Sequence, residues 1–297
     1  MQTRCTSFDL NNALNALEAL TQESAQLYVL IDRLNFDPLA QLINELSEEH
    51  RPLCVALNDP IFENAPLRTP LLVQLMLDLP GHQNLLTETL LIAQEEAFHI
   101  DGMRTVCGWL FSREKPETLA AHLARRQDIR YPNKRIYLRY FDPRVLPRLN
   151  EILGQKADAH LFAPVHTWCH LGRDGNWYQH DLESVETEKL IPYPNADEAL
   201  AIDRIVQINQ VARHLGPPPT APHARDIDID NALTQAMQWK LTDTDDQITY
   251  AVRSLQDGET FTQHHLLRRW IQLTLETGAP LNDVISEYRP TQAATNT

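Results

Sequence analysis

The chain has 297 residues, 43% of them hydrophobic, and a formal net charge of -14. That length supports a full core in one large or two modest domains, and the charge argues against nucleic acid or an anionic membrane as the main partner. Cys5, Cys54, Cys107 and Cys169 are far apart and form no CxxC pair, which excludes a zinc knuckle or disulfide framework from the first readings and makes a reducing cytoplasm the expected compartment.

Residues 1–25 read as a helix or extension; Asp9 and Glu18 interrupt it, so no signal peptide is read there. The run "QLYVLID" (Gln26–Asp32) is short, apolar and bounded, as a buried strand is. Asp37-Pro38 predicts an N-cap and first helical residue, ahead of Leu39, Leu42, Ile43 and Leu46 at helical spacing. "PLCVAL" (Pro52–Leu57) reads as a second strand. "PLLVQLML" is apolar but ambiguous in type, and "PLLVQLMLDL" is too short to cross a bilayer. Leu86, Leu90, Ala93 and Ala97 mark one face of a helix, "MRTVCGWLF" (Met103–Phe111) another buried strand, and Pro116 opens a helix to about Arg126.

The stretch "RIYLRYFDPRVLPRL" (Arg135–Leu149) places arginines among aromatics and repeats the Asp-Pro device. Alternation through residues 136–141 is that of a strand, and Val145, Leu146, Leu149, Ile152 and Leu153 have helical spacing. A strand turning directly into a helix is expected, with Asp142 accepting the free N–H groups of the first turn and Arg139 pairing with Asp142 or lying along aromatic faces. Farther on, "APVHTWCHL" and "NWYQH" flank "GRDG", which predicts a hairpin. Near Ser184 the chain turns polar and proline-punctuated, as a connector does. Beyond it, apolar residues step helically at Ala201–Leu215, Ile229–Met237, Ile248–Leu255 and Leu266–Ile271, with stops at Gly216, Gly258 and Gly278. The fold class expected is an α/β (or α+β) N-terminal lobe with a mainly α-helical C-terminal lobe. The divisions are 1–25, 26–183, 184–290 and a disordered tail at 291–297.

Candidate chemistry is sparse. No GxGxxG, P-loop, GxSxG or HExxH is present. His160, His166, His170 and His180 surround Cys169. On a strand, His166 and His170 share a face about 13 Å apart, too far for one metal, whose ligands each lie about 2 Å from it. Polar histidines on a half-exposed hairpin are the simpler expectation. Arg139 beside a helix start at Asp142 suits an anion, but an internal cap and ion pair uses the same residues. Arg125, Arg126 and Arg130 read as a solvated helix end. Glu95-Glu96 and Asp245-Asp246 are sequence neighbours that diverge on a helix. Asp226, Asp228 and Asp230 lack the glycine and distal glutamate of a calcium loop. Trp239 and Trp270 lie beside apolar stripes, as core residues do. No catalytic, cofactor-binding or metal residues are therefore assigned, and no cofactor is expected.

The ordered set "LYVLID", "WLFS", "LAAHLARRQDIR", "RIYLRYFDPRVLPRL", "LFAPVHTW" and "GRDGNW" resembles the family of type VI secretion effector chaperones, also called adaptor proteins, over about residues 26 to 150 with the hairpin following. The resemblance implies a non-enzymatic role, that of binding a secreted effector toxin in the cytoplasm and promoting its loading onto the spike protein of the secretion tube, with neither nucleic acid nor membrane as partner. It brings no catalytic residues, and Arg139, Asp142 and Pro143 are scaffold rather than contact residues on this reading. The α/β lobe is expected to serve the spike and the helical part the cargo, so truncation after about residue 190 is expected to weaken cargo capture alone. An enzyme, a hydrolase or phosphate-handling protein using an anion site at Arg139 and Asp142, is the alternative, and a structural subunit of a larger assembly is a third reading.

Overall fold

The computed structural model describes residues 2–22, 25–98, 104–131, 134–154, 156–157, 161–182, 194–216 and 226–287. It divides into two compact units, Met1–Ile202 and Asp203–Thr297.

The first unit is built on seven strands: β1 (Gln2–Ser7), β2 (Gln26–Ile31), β3 (Cys54–Ala56), β4 (Leu71–Leu75), β5 (Val106–Ser112), β8 (Thr167–Leu171) and β9 (Asn176–Asp181), in the order β1-β9-β8-β5-β2-β4-β3. Two further strands, β6 (Asp128–Tyr131) and β7 (Lys134–Tyr137), form a separate ribbon. Every pairing is antiparallel, so of the two classes expected for this lobe the α+β one holds. The ambiguous "PLLVQLML" is strand β4, and the expected hairpin is β8–β9.

β2 is buried at every position but its first, and β5 throughout, because helices cover both sheet faces. Leu27, Val29, Ile31, Val73, Trp109 and Phe111 share a core with Ala13 and Leu17 of α1 (Leu10–Thr21) and with Leu85, Leu86, Leu90, Ala93 and Ala97 of α3 (His82–Phe98). Each fully buried leucine there contributes about 2 kcal/mol. On the opposite face lie Tyr28 and Leu30, and α4 (Pro116–Arg125) packs against β3 and β4. Tyr28 donates its hydroxyl to the Glu114 carbonyl at 2.7 Å, just ahead of α4. At Gly108 the β2–β5 register slips by one residue. Its φ of +150°, and a Cβ position only 2.5 Å from Trp168 Nε1, leave room for glycine alone.

The N-terminal segment does more than the sequence suggests. β1 pairs with β9 and closes one sheet edge, and Asp9 caps α1 by accepting the Asn12 N–H. Both Asp-Pro expectations need correction. The helix after Pro38, α2 (Ala40–Glu45), begins at Ala40 with no side-chain cap, while Asp37 accepts the Leu39 N–H. The helix after Pro143, α5 (Leu146–Leu153), begins at Leu146, again with no side-chain cap, and Asp142 accepts the Arg144 N–H. At both places the carboxylate closes a two-residue side-chain turn, and the helix starts two or three residues farther on. Residues 138–145 are thus a turn-rich loop, not a strand entering a helix. Tyr140, fully buried, donates to the Leu123 carbonyl at the end of α4.

The second unit holds most of α6 (Ala196–Leu215), with α7 (Asp226–Gln238), α8 (Thr244–Asp257), a short α9 (Glu259–Thr262), α10 (Leu267–Thr277) and α11 (Leu281–Glu287). One cluster joins Ile208, Val211, Ile229, Leu233, Ile248 and Ala251. A second joins Tyr250, Phe261, Trp270, Ile271, Leu281 and Val284, with Trp239 against it. The two tryptophans are therefore core residues. Asp226 and Asp228 sit in the first turn of α7, and Asp230 pairs with Arg204. Asp243 caps α8, and Gly258 and Gly278 end α8 and α10 as expected. The connector at 183–193, the proline-rich 217–225 and the tail beyond 287 lie outside the described residues. Among the described residues no helix is long and apolar enough to cross a membrane.

Candidate functional site

Arg139, Asp142 and Pro143 come together in a buried charge cluster at the end of β2. Arg139 reaches Asp32, the residue that follows β2, in a close ion pair, and approaches Asp142 Oδ2 at 3.5 Å. Arg144 grips Asp142 bidentately, Nη2 to Oδ2 at 2.7 Å and Nε to Oδ1 at 3.0 Å, while its own N–H donates to Oδ1. Asp142 is 3% exposed. Burial alone raises its carboxyl; the hydrogen bonds and charge of Arg144, with Arg139 behind them, outweigh it and hold the group below its ordinary value. Burial opposes the charge on Arg139 too, and Asp142 and Asp32 overcome it, so its pKa is raised. Arg104, just ahead of β5, is buried behind this group; burial, and then the charge of Arg144, push it down to about 10. Glu96 accepts the N–H groups of Thr105 and Val106 and so fixes the start of β5; burial raises its carboxyl.

The arrangement ties the 138–145 loop to the sheet with opposed charges. Arg139 meets carboxylates on Asp32 and Asp142, and Asp142 heads a turn rather than a helix. Sequence reasoning missed Asp32, Arg104 and Arg144. A charged residue closing an otherwise apolar strand was the available signal for Asp32; nothing local marks Arg104.

Two of the histidines depart from expectation. His166 is half-buried, but His170 and His180 are buried and form a ladder with Tyr178 and Phe162. Ring centroids are 5.0 Å between His170 and His180, 5.2 Å between His170 and Tyr178, and 6.1 Å between Phe162 and His180, all near-parallel. A metal lies in the plane of each imidazole that binds it, so these two parallel, face-to-face rings cannot share one as they stand. Burial lowers both: His170 well below its ordinary value and His180 to about 4. His180 is joined to Thr3 of β1 at 3.0 Å. Cys169 is buried on the opposite strand face, and His160 lies outside the described residues.

A third place was not foreseen. Between β3 and β4 the chain makes a long excursion, residues 57–70, with two 3-10 turns at Pro60–Phe62 and Pro66–Arg68. It encloses an open pocket of about 430 Å³, whose lining includes Asn58, Asp59, Phe62, Glu63, Pro66 and Thr69. Asp59 precedes Pro60 and accepts the Ile61 N–H at 2.9 Å, the same two-residue turn that Asp37 and Asp142 make. Phe62 meets Tyr137 edge-on at 5.5 Å, and Arg33 donates to the Thr69 carbonyl at 2.8 Å.

Residues 27–159 match a family model described as a domain of unknown function, DUF4123. The match runs from β2 through α5 and takes in Asp32, Arg104, Arg139, Asp142 and Arg144, a little under half of the chain. No curated protein and no solved structure matches.

Proposed function

We propose that the chain is a non-enzymatic adaptor that binds a type VI secretion effector in the cytoplasm and promotes its loading onto the spike protein. One observation carries this reading. The motif residues that resemble the effector adaptors, from "LYVLID" to "RYFDPR", fall inside the stretch that matches the family model. The geometry is compatible with it: the most recognisable piece of that stretch, Arg139 to Arg144, is engaged internally, as frame residues of a binding protein are.

Co-expression tests the reading. The chain, tagged, is produced with a candidate type VI effector and a candidate spike protein. A complex with the effector that hands it to the spike is expected, and the chain should be absent from the secreted product. Turnover of a phosphate ester or acyl substrate, abolished by Arg139→Ala without loss of fold, would favour the enzyme reading instead.

A further inference from the structure

We propose that β1 is a proton-released strand: protonation of His180 detaches Gln2–Ser7 from β9 and uncovers the β9 edge, while the rest of the sheet stays folded. The inference is independent of the adaptor reading.

His180 is placed where a charge finds no partner. It is 2% exposed, and His170 beside it is fully buried. The two rings lie parallel, 5.0 Å apart, and Phe162 also stacks on His180 at 6.1 Å. Nδ1 of His180 is joined to Thr3 Oγ1 at 3.0 Å, whereas Nε2 is buried without a hydrogen-bond partner, as are both ring nitrogens of His170. Asp181, next in sequence, alternates to the opposite strand face, where it pairs with Arg4 at 2.8 Å and accepts from Gln179. The other titratable groups on the ladder's face are Cys5, opposite Tyr178 in the β1–β9 register, and Tyr178 itself, whose hydroxyl donates to Asp174 at 2.7 Å. A proton on His180 therefore sets a cation among rings with no counter-ion, which is costly while the site is closed.

β1 is the element that yields. Thr3 to Ser7 are exposed, and among the described residues β1 pairs only with β9, at the end of the strand order. The chain is anchored immediately after it: Phe8 packs on Trp177 at 6.3 Å, and Ala13 and Leu17 of α1 lie in the core. β1 can therefore leave while α1 stays. Thr3 stands opposite His180 and meets its Nδ1, so departure of the strand lets water reach the ring. The open form then binds a proton near the ordinary histidine value of about 6.5, and the closed form only near about 4, because burial holds it down. The strand is thus fully held above the open-form value and released as pH falls toward the closed-form one. Between pH 7 and pH 5 the ratio of open to closed should rise about twentyfold. Release turns β9 into a sheet edge, where another strand can pair.

The test follows amide hydrogen exchange of the full chain by mass spectrometry at pH 7 and pH 5, corrected for the intrinsic rate at each pH. The peptide covering β1 should lose protection about twentyfold at pH 5, while the peptide covering β5 keeps its own. His180→Phe retains a ring beside His170 and Phe162 but takes up no proton, and it should abolish the difference between the two pH values. Asp181→Asn removes the Arg4 ion pair and should leave the difference in place. Thr3→Val, at an exposed position, loosens β1 while keeping the imidazole; it should raise β1 exchange at both pH values and retain their ratio, which keeps the proposal testable if His180→Phe does not fold. A β1 peptide unprotected at pH 7, or equally protected at both pH values, overturns the proposal. So does loss of protection by β1 and β5 together, since the histidines then act on global stability alone. A difference that survives His180→Phe, or one that vanishes with Asp181→Asn or Thr3→Val, assigns the response to another group and overturns it as well.

Discussion

Asp142 shows how one residue settles a local structure. Its carboxylate serves Arg144 twice, the Arg144 N–H once and Arg139 at longer range, all while buried. Removing one partner of a buried ion pair leaves the other charge uncompensated. Asp142→Asn keeps the shape and an acceptor but loses the charge, and should cost about 3 kcal/mol, read from the urea midpoint at pH 7; a loss below about 1 kcal/mol would show the cluster to be energetically slack. The histidine ladder gives a second expectation at this scale. His170 and His180 are buried neutral, whereas in the unfolded chain they take up protons below about pH 6.5. Stability is therefore complete above that pH and declines as pH falls toward the folded value, about 4 for His180. For His180 the loss between pH 7 and pH 5 is about 2 kcal/mol. His170→Phe keeps a ring between Tyr178 and His180 and removes two ring nitrogens that lack partners. It should flatten the pH dependence without lowering stability at pH 7. An unchanged slope between pH 7 and pH 5 would contradict this account.

At the scale of elements, the long apolar strands and the amphipathic helices were legible because burial writes its period directly into sequence. β2, β5, α3, α7 and α10 follow from their hydrophobic spacing. Turn chemistry was not legible to the same degree. Asp-Pro is compatible with a helix cap and with a two-residue side-chain turn, and only the following residues' packing decides between them. At Asp37, Asp59 and Asp142 the turn forms; at Asp59 it also starts a 3-10 turn. β1 escaped notice because its exposed sequence, "QTRCTS", carries no apolar alternation and is held as a strand by pairing with β9 alone. Strand order likewise depends on long-range pairing that no local pattern records. Gly108 marks where such a tertiary demand fixes a residue. Gly108→Ala places a methyl 2.5 Å from Trp168 Nε1 and 2.6 Å from the Cys169 carbonyl, and should destabilise by about 3 kcal/mol. Gly154→Ala, at the end of α5 with positive φ but nothing within 4 Å, should cost about 1 kcal/mol. Comparable thermal midpoints for the two variants would remove the close-approach explanation.

For the whole molecule, the two units have separate cores, the first around the sheet and the second among helices in two clusters. That matches the expectation of an N-terminal lobe followed by a mainly helical one, and it sharpens how a division of labour should be tested. Cutting the chain near residue 190 would remove Glu198, which pairs with Lys156 inside the first unit at 2.6 Å. It would also delete all of α6. Lost binding after such a cut would confuse damage to the first unit with loss of the second. Surface substitutions avoid the confusion. Val206 on α6 and Met237 on α7 are 63% and 49% exposed, and both belong to the second unit. Exposed positions of this kind shift stability by only about 0.5 kcal/mol when changed. Under the adaptor reading, Val206→Asp with Met237→Asp should weaken effector capture roughly tenfold or more and leave spike binding and the thermal midpoint where they were. Equal losses of both partners from this variant would mean that cargo and spike do not divide between the units.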